Sequence, residues 1–120
     1  MLRKEISYVD YNGLERTENF YFNLTKTELT KMQLSTEGGL QEMLEKIVAA
    51  KDVPQIITVF DKIILAAYGE KSDDGKRFVK SEEIAEAFQA SPAYDALFME
   101  LLGDPDAAAK FVEDILPKVN

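Results

Sequence analysis

The Asn-Gly pair at positions 12 and 13 restricts what this chain can fold into more than any other two residues. A two-residue hairpin turn of type I′ needs positive φ at both central positions, and asparagine followed by glycine meets that demand best. The flanks agree with it. Leu2, Ile6 and Tyr8 share one face of an extended segment, and Leu14, Phe20, Phe22 and Leu24 share one parity after the turn. Residues 1–24 therefore read as a β-hairpin. A hairpin alone is marginal in water, so it must pack on helices, pair with a further strand or stay mobile. An exposed edge would also invite pairing between subunits.

The period then changes from two to 3.6. Thr25-Lys26-Thr27-Glu28 fits a capping box, with Glu28 reaching back to the cap amide, and predicts a short helix through Leu34. Ser35 to Gly39 is a flexible break. Leu40, Met43, Leu44, Ile47 and Val48 recur at helical spacing. Asp52 is a cap and Pro54 suits a first turn. Ile56, Val59, Phe60, Ile63, Ile64, Ala67 and Tyr68 then form one stripe, widened by Ile57 and Leu65, so this helix should be central to the core. Gly69 reads as its C-terminal glycine.

Glu70 to Lys80 is a polar loop turning at Asp73-Asp74-Gly75. Ser81 caps a helix carrying Ile84, Ala87 and Phe88. Ser91-Pro92 starts another, with Tyr94, Leu97, Phe98, Leu101 and Leu102 as its stripe. Gly103-Asp104-Pro105 starts a last one, with Ala108, Phe111, Val112, Ile115 and Leu116, and Pro117 stops it. The expected fold is mainly α with an N-terminal β-hairpin, an α+β chain built as a compact bundle of five to six short helices. At 120 residues it should be one domain. The hairpin would take 1–24, the helical core 25–69, the loop 70–80 and acidic C-terminal helices 81–117.

Composition bears on function chiefly by exclusion. The chain has no histidine and no cysteine. Ser-His-Asp and Cys-His catalysis are thereby excluded, as are thiolate metal sites and disulfides, and only carboxylates remain as strong zinc ligands. GxGxxG and GxxxxGK[ST] loops are absent. No apolar run approaches the roughly 20 residues of a membrane span, and no apolar signal core follows Met1 to Glu5. The net charge is -8, and it is unevenly placed: residues 1–80 hold 13 acids and 12 bases, whereas residues 81–120 hold 9 acids and 2 bases. Such an acidic third argues against nucleic-acid binding, which needs phosphate neutralisation. It suits solubility or a basic partner.

Carboxylate pairs could in principle serve a glycosidase or a magnesium site. Glu82-Glu83-Glu86, Glu42-Glu45 and Asp104-Asp106 are the candidates. Acids in a first helical turn, however, complement the macrodipole. If Gly75 is set at the sixth position of a calcium loop, Glu70, Ser72 and Asp74 occupy the first, third and fifth. Ser81 then stands where a bidentate glutamate is required, so a polar turn entering a helix cap is the better reading. Lys76, Arg77 and Lys80 form the one basic cluster, suited to solvation or to counter-charge for the acidic helices. The most suggestive feature is apolar. Phe88, Tyr94, Phe98, Met99, Leu102 and Phe111 crowd the C-terminal helices. Methionine and aromatic surfaces adapt to varied apolar partners, while helical spacing suits them equally to the core. These six are the candidate partner-binding residues.

Four segments carry a family resemblance. They are Tyr11-Asn12-Gly13-Leu14-Glu15-Arg16-Thr17-Glu18, then Phe20-Tyr21-Phe22-Asn23-Leu24-Thr25-Lys26-Thr27-Glu28-Leu29, then Tyr68 to Phe78, and Ala93-Tyr94-Asp95-Ala96-Leu97-Phe98-Met99-Glu100-Leu101. In their order, and over nearly the whole chain, the sequence resembles tail assembly chaperones of siphovirus-type bacteriophages and prophages of Gram-positive bacteria. The resemblance implies a non-enzymatic protein with no cofactor. Its client would be the tape measure protein, kept soluble until tail-tube protein polymerises around it. A frameshifted longer form of the chain is a further implied partner, with this sequence looking like the short form. Its place would be the cytoplasm of the bacterial host, and it would be absent from the mature virion. A homo-oligomer is compatible with this. The charge asymmetry keeps a second reading open, an acidic host-directed inhibitor or nucleic-acid mimic.

Overall fold

The computed structural model describes residues 1–34 and 53–115. The expected break at Ser35–Gly39, the helix carrying Leu40 to Val48, the Asp52 cap and the stop at Leu116 and Pro117 lie outside those residues. Strands β1 (Leu2–Val9) and β2 (Glu15–Phe22) pair antiparallel, with Leu2 opposite Phe22, Ile6 opposite Glu18 and Tyr8 opposite Arg16. The hairpin over the N-terminal segment thus forms as its alternation predicts.

Its turn differs by one residue from the expectation. Gly13 N–H donates to Asp10 O and Asp10 N–H donates to Leu14 O, so the tight turn spans Asp10 to Gly13 and is centred on Tyr11 and Asn12. Gly13 alone supplies the left-handed step, at φ 82°, in a three-residue loop. The Asp10 side chain causes the shift. Its Oδ1 accepts from the backbone N–H groups of Asn12 and Leu14, both at 2.9 Å, while Arg16 Nε donates to Oδ2. An aspartate bonding the backbone two and four residues on competes with the type I′ geometry.

Helix α1 (Lys26–Leu34) begins in the predicted capping box. Glu28 N–H donates to Thr25 Oγ1 at 3.1 Å and Thr25 N–H donates to Glu28 Oε1 at 3.0 Å. Helix α2 (Val53–Ala67) carries the apolar stripe, with Pro54 in its first turn and Ile63, Ile64 and Ala67 fully buried.

The segment after α2 overturns part of the sequence reading. Gly69 does not cap a helix, and residues 70–80 are not simply a loop. The chain goes straight from Ala67 into β3 (Tyr68–Lys71), turns, and returns as β4 (Phe78–Val79). Tyr21 faces Gly69 and Phe22 faces Tyr68, while Glu70 faces Val79 and Lys71 faces Phe78. The result is a four-stranded antiparallel sheet in the order β1-β2-β3-β4. The cause is non-local. The side of β2 turned away from β1 needs a partner for its backbone groups, and Asn23 N–H extends the pairing by donating to Ala67 O at 2.9 Å.

Helices α3 (Glu82–Gln89), α4 (Pro92–Leu102) and α5 (Pro105–Ile115) start where capping residues predict. Ser81 Oγ accepts from Ile84 N–H, Ser91 Oγ from Tyr94 N–H, and Asp104 Oδ1 from Ala107 N–H. The helices cover one face of the sheet. Ile6, Phe20, Phe22 and Tyr68 meet Phe88, Ala93, Leu97, Leu101, Phe111 and Ile115 across a single apolar layer. Phe22 is its centre: it is wholly buried and touches the rings of Tyr68, Phe88 and Phe111. Burying a phenylalanine so completely contributes about 1.5–3 kcal/mol. Leu14 has the parity of this inner face but is 57% exposed, because the hairpin tip runs past the end of the helical layer.

Candidate partner-binding surface

Helix α4 sorts the sequence-predicted binding residues by its own geometry. Ala93, Leu97 and Leu101 fall four residues apart, on one face, and are buried. Tyr94 and Phe98 lie one step round the helix and are half-buried. Met99 is 58% exposed and Leu102 37%. Phe88 and Phe111 belong to other helices and to the core, at 3% and 5% exposure. The structure thus divides the six. Phe88 and Phe111 are internal in this fold. Tyr94, Phe98, Met99 and Leu102 remain reachable on one helix.

Tyr94 and Phe98 help line a shallow cleft between α2 and α4, with Ile57, Thr58, Asp61 and Asp95, whose volume is about 410 Å³. Its lining is largely aromatic and aliphatic and includes two carboxylates. The Tyr94 hydroxyl donates to Asp61 Oδ1 across the cleft, tying α4 to α2. Burial, and then this bond to a carboxylate, push the Tyr94 hydroxyl well above the ordinary tyrosine range. Tyr94 is held from below by an edge-on contact with Phe88, 5.6 Å between centroids at 90°, and lies beside Phe98 at 5.9 Å. Phe88 itself stacks on Tyr68 at 4.1 Å. The aromatic floor is therefore braced through to the sheet.

The charged candidates also find places. Glu82 and Glu83 occupy the exposed first turn of α3, where they complement the helix dipole. Asp74 serves its own turn, accepting from Ser72 Oγ and Lys76 N–H. These bonds hold its carboxyl below the usual range. Among the described residues, no three acidic side chains converge as metal ligands do. The basic cluster separates. Lys76 and Arg77 are exposed in the β3–β4 turn, whereas Lys80 points inward. Its Nζ donates to Asn23 O at 2.5 Å and to Glu28 Oε2 at 2.7 Å. Lys80 thus serves the start of α1 and not the acidic C-terminal helices, contrary to one sequence expectation.

One surface escaped the sequence reading. Val9, Tyr11 and Leu14 are exposed together at the β1–β2 tip, Tyr11 at 84%. A tyrosine inside a turn, next to Asn-Gly, was the signal available for it.

The described residues thus present an open apolar cleft lined with two carboxylates, and an exposed Met99–Leu102 ridge, on a small α+β frame. The comparisons give the family: a model described as phage tail assembly chaperone matches residues 1–119. The chain belongs to the phage tail assembly chaperone family, which is non-enzymatic. No curated protein and no solved structure matches it.

Proposed function

We propose that this chaperone binds the tape measure protein and keeps it soluble until tail-tube protein polymerises around it. The observation that carries the reading, beside family membership, is the exposure of Met99 and Leu102 on the helix that also lines the Tyr94–Phe98 cleft. A long apolar helical client offers stripes at i, i+3, i+4 and i+7, which a groove between helices can hold. Several copies bound along one client would gain avidity while each remains weak enough to be displaced. The surplus negative charge would keep the coated client dispersed. The chain acts as one domain in this reading, within the cytoplasm of the bacterial host, and does not enter the mature virion. Host range among Gram-positive bacteria, and a frameshifted longer form as a second partner, belong to the same proposal.

Co-expression with the tape measure protein tests it. The soluble fraction of that protein should rise, and the two should co-purify. Unchanged solubility with no co-purification sinks the proposal.

A further inference from the structure

Strand β1 ends the sheet, and among the described residues no strand pairs with its outer edge. The backbone groups left there can be named. Asp10 N–H donates to Leu14 O at the closed end of the hairpin, and hydrogen-bonded pairs recur every second residue in an antiparallel ladder. Tyr8, Ile6, Lys4 and Leu2 therefore exchange their bonds with β2, while Arg3, Glu5, Ser7 and Val9 turn their N–H and C=O groups to the free edge. The same four residues carry their side chains on the face away from the helices. Arg3 and Glu5 are exposed. Among the described residues, neither side chain has an ion pair or hydrogen bond.

We propose that the β1 edge is completed by β1 of a second copy, antiparallel about a two-fold axis at Lys4. In that register Arg3 lies opposite the second copy's Glu5, and Glu5 opposite its Arg3, so both charges on each copy are matched. Leu2 falls beside the other copy's Ile6 on the helix-covered face. Lys4 meets its own equivalent, but each is already paired with Glu100 Oε1 of its own chain at 3.3 Å. Neighbouring registers lack this match. A slip of one pair sets Glu5 against itself or Arg3 against itself, and like charges directly opposite are unfavourable. This self-complementarity favours a second copy over an unrelated strand as the occupant. The pairing would join two four-stranded sheets into one of eight, with both sets of helices on the same side. Two client-facing α4 ridges would then belong to one particle.

Sedimentation velocity on the full chain, with the charges exchanged, tests this. The wild type should sediment as a dimer in the micromolar range. R3E and E5R should each weaken the dimer by about tenfold or more, since two attractions become two repulsions. The double variant R3E/E5R should recover the dimer. An equimolar mixture of R3E and E5R should recover it too, because one copy then presents two acids and the other two bases. Unchanged far-UV circular dichroism confirms that each variant has folded. A monomeric wild type overturns the proposal, including one whose edge instead accepts a strand from the client. So does a dimer indifferent to R3E and E5R, and so does failure of both exchanges to restore association.

Discussion

Gly69 lies where a side chain has no room. A Cβ there would sit 2.7 Å from the Phe78 ring and 2.7 Å from Val79 O. A ring can turn aside, but a strand carbonyl cannot move without breaking β4 from β3. Gly69→Ala should therefore lower stability by about 1–3 kcal/mol, read as a lower urea midpoint. A helix-capping glycine replaced in the same way would cost much less than this if it had no positive φ, so the size of the effect separates the strand role from the expected cap. Tyr94 gives a second test. Its hydroxyl is raised by burial and by Asp61, so the folded state holds the proton more tightly than the unfolded chain. The stabilisation is complete below the unfolded value of about 10 and is lost as pH rises through the higher folded value. Wild-type stability should fall steeply in alkali, and Tyr94→Phe should flatten that fall.

The start of α1 shows how neighbouring elements hold one another. Burial alone would raise the Glu28 carboxyl, but Lys80 and the Thr25 bonds outweigh it and hold it below the ordinary range. Its contribution is present above the unfolded value of about 4.3 and disappears as pH falls through the lower folded value. Lys80→Met should cost about 1–2 kcal/mol at neutral pH, with Asn23 O and Glu28 losing a donor. Its difference from wild type should narrow on acidification below about pH 4, as thermal melts across that range would show. What the sequence made legible at this scale was local. Thr25, Ser81, Ser91 and Asp104 announce their helices because a cap bonds within three residues of itself. Tyr68-Gly69-Glu70-Lys71 announces no strand, since it has no alternation and continues the stripe of Ile64. Only the free side of β2, where Phe22 pairs with Tyr68, makes it one. For the candidate surface, the sequence gives residue type and not orientation. Helical spacing gives Phe88, Phe111 and Met99 equal claims to the surface, and only the sheet decides which of them it covers.

For the molecule as a whole, the division between braced floor and exposed ridge sets what mutation can separate. Met99→Asn alters a side chain mostly in water and Leu102→Asn one that is partly covered, at 58% and 37% exposure, so the pair should cost about 1–2 kcal/mol, well short of unfolding the chain. The yield of co-purified tape measure protein should drop severalfold. Phe22→Ala, by contrast, should cost about 3–5 kcal/mol and remove client binding only by unfolding the chain. The position of Phe22 has a further consequence, for the order of events during synthesis. Its contacts with Phe88 and Phe111 span most of the polypeptide, so the hairpin leaves the ribosome early with its apolar face bare. Its contact with Phe111 cannot form until α5 has been translated. Contacts so distant in sequence slow folding and lengthen the time for which a nascent chain can aggregate. In the proposed role, a protein that shelters another from aggregation would thus itself be sheltered late, by α5.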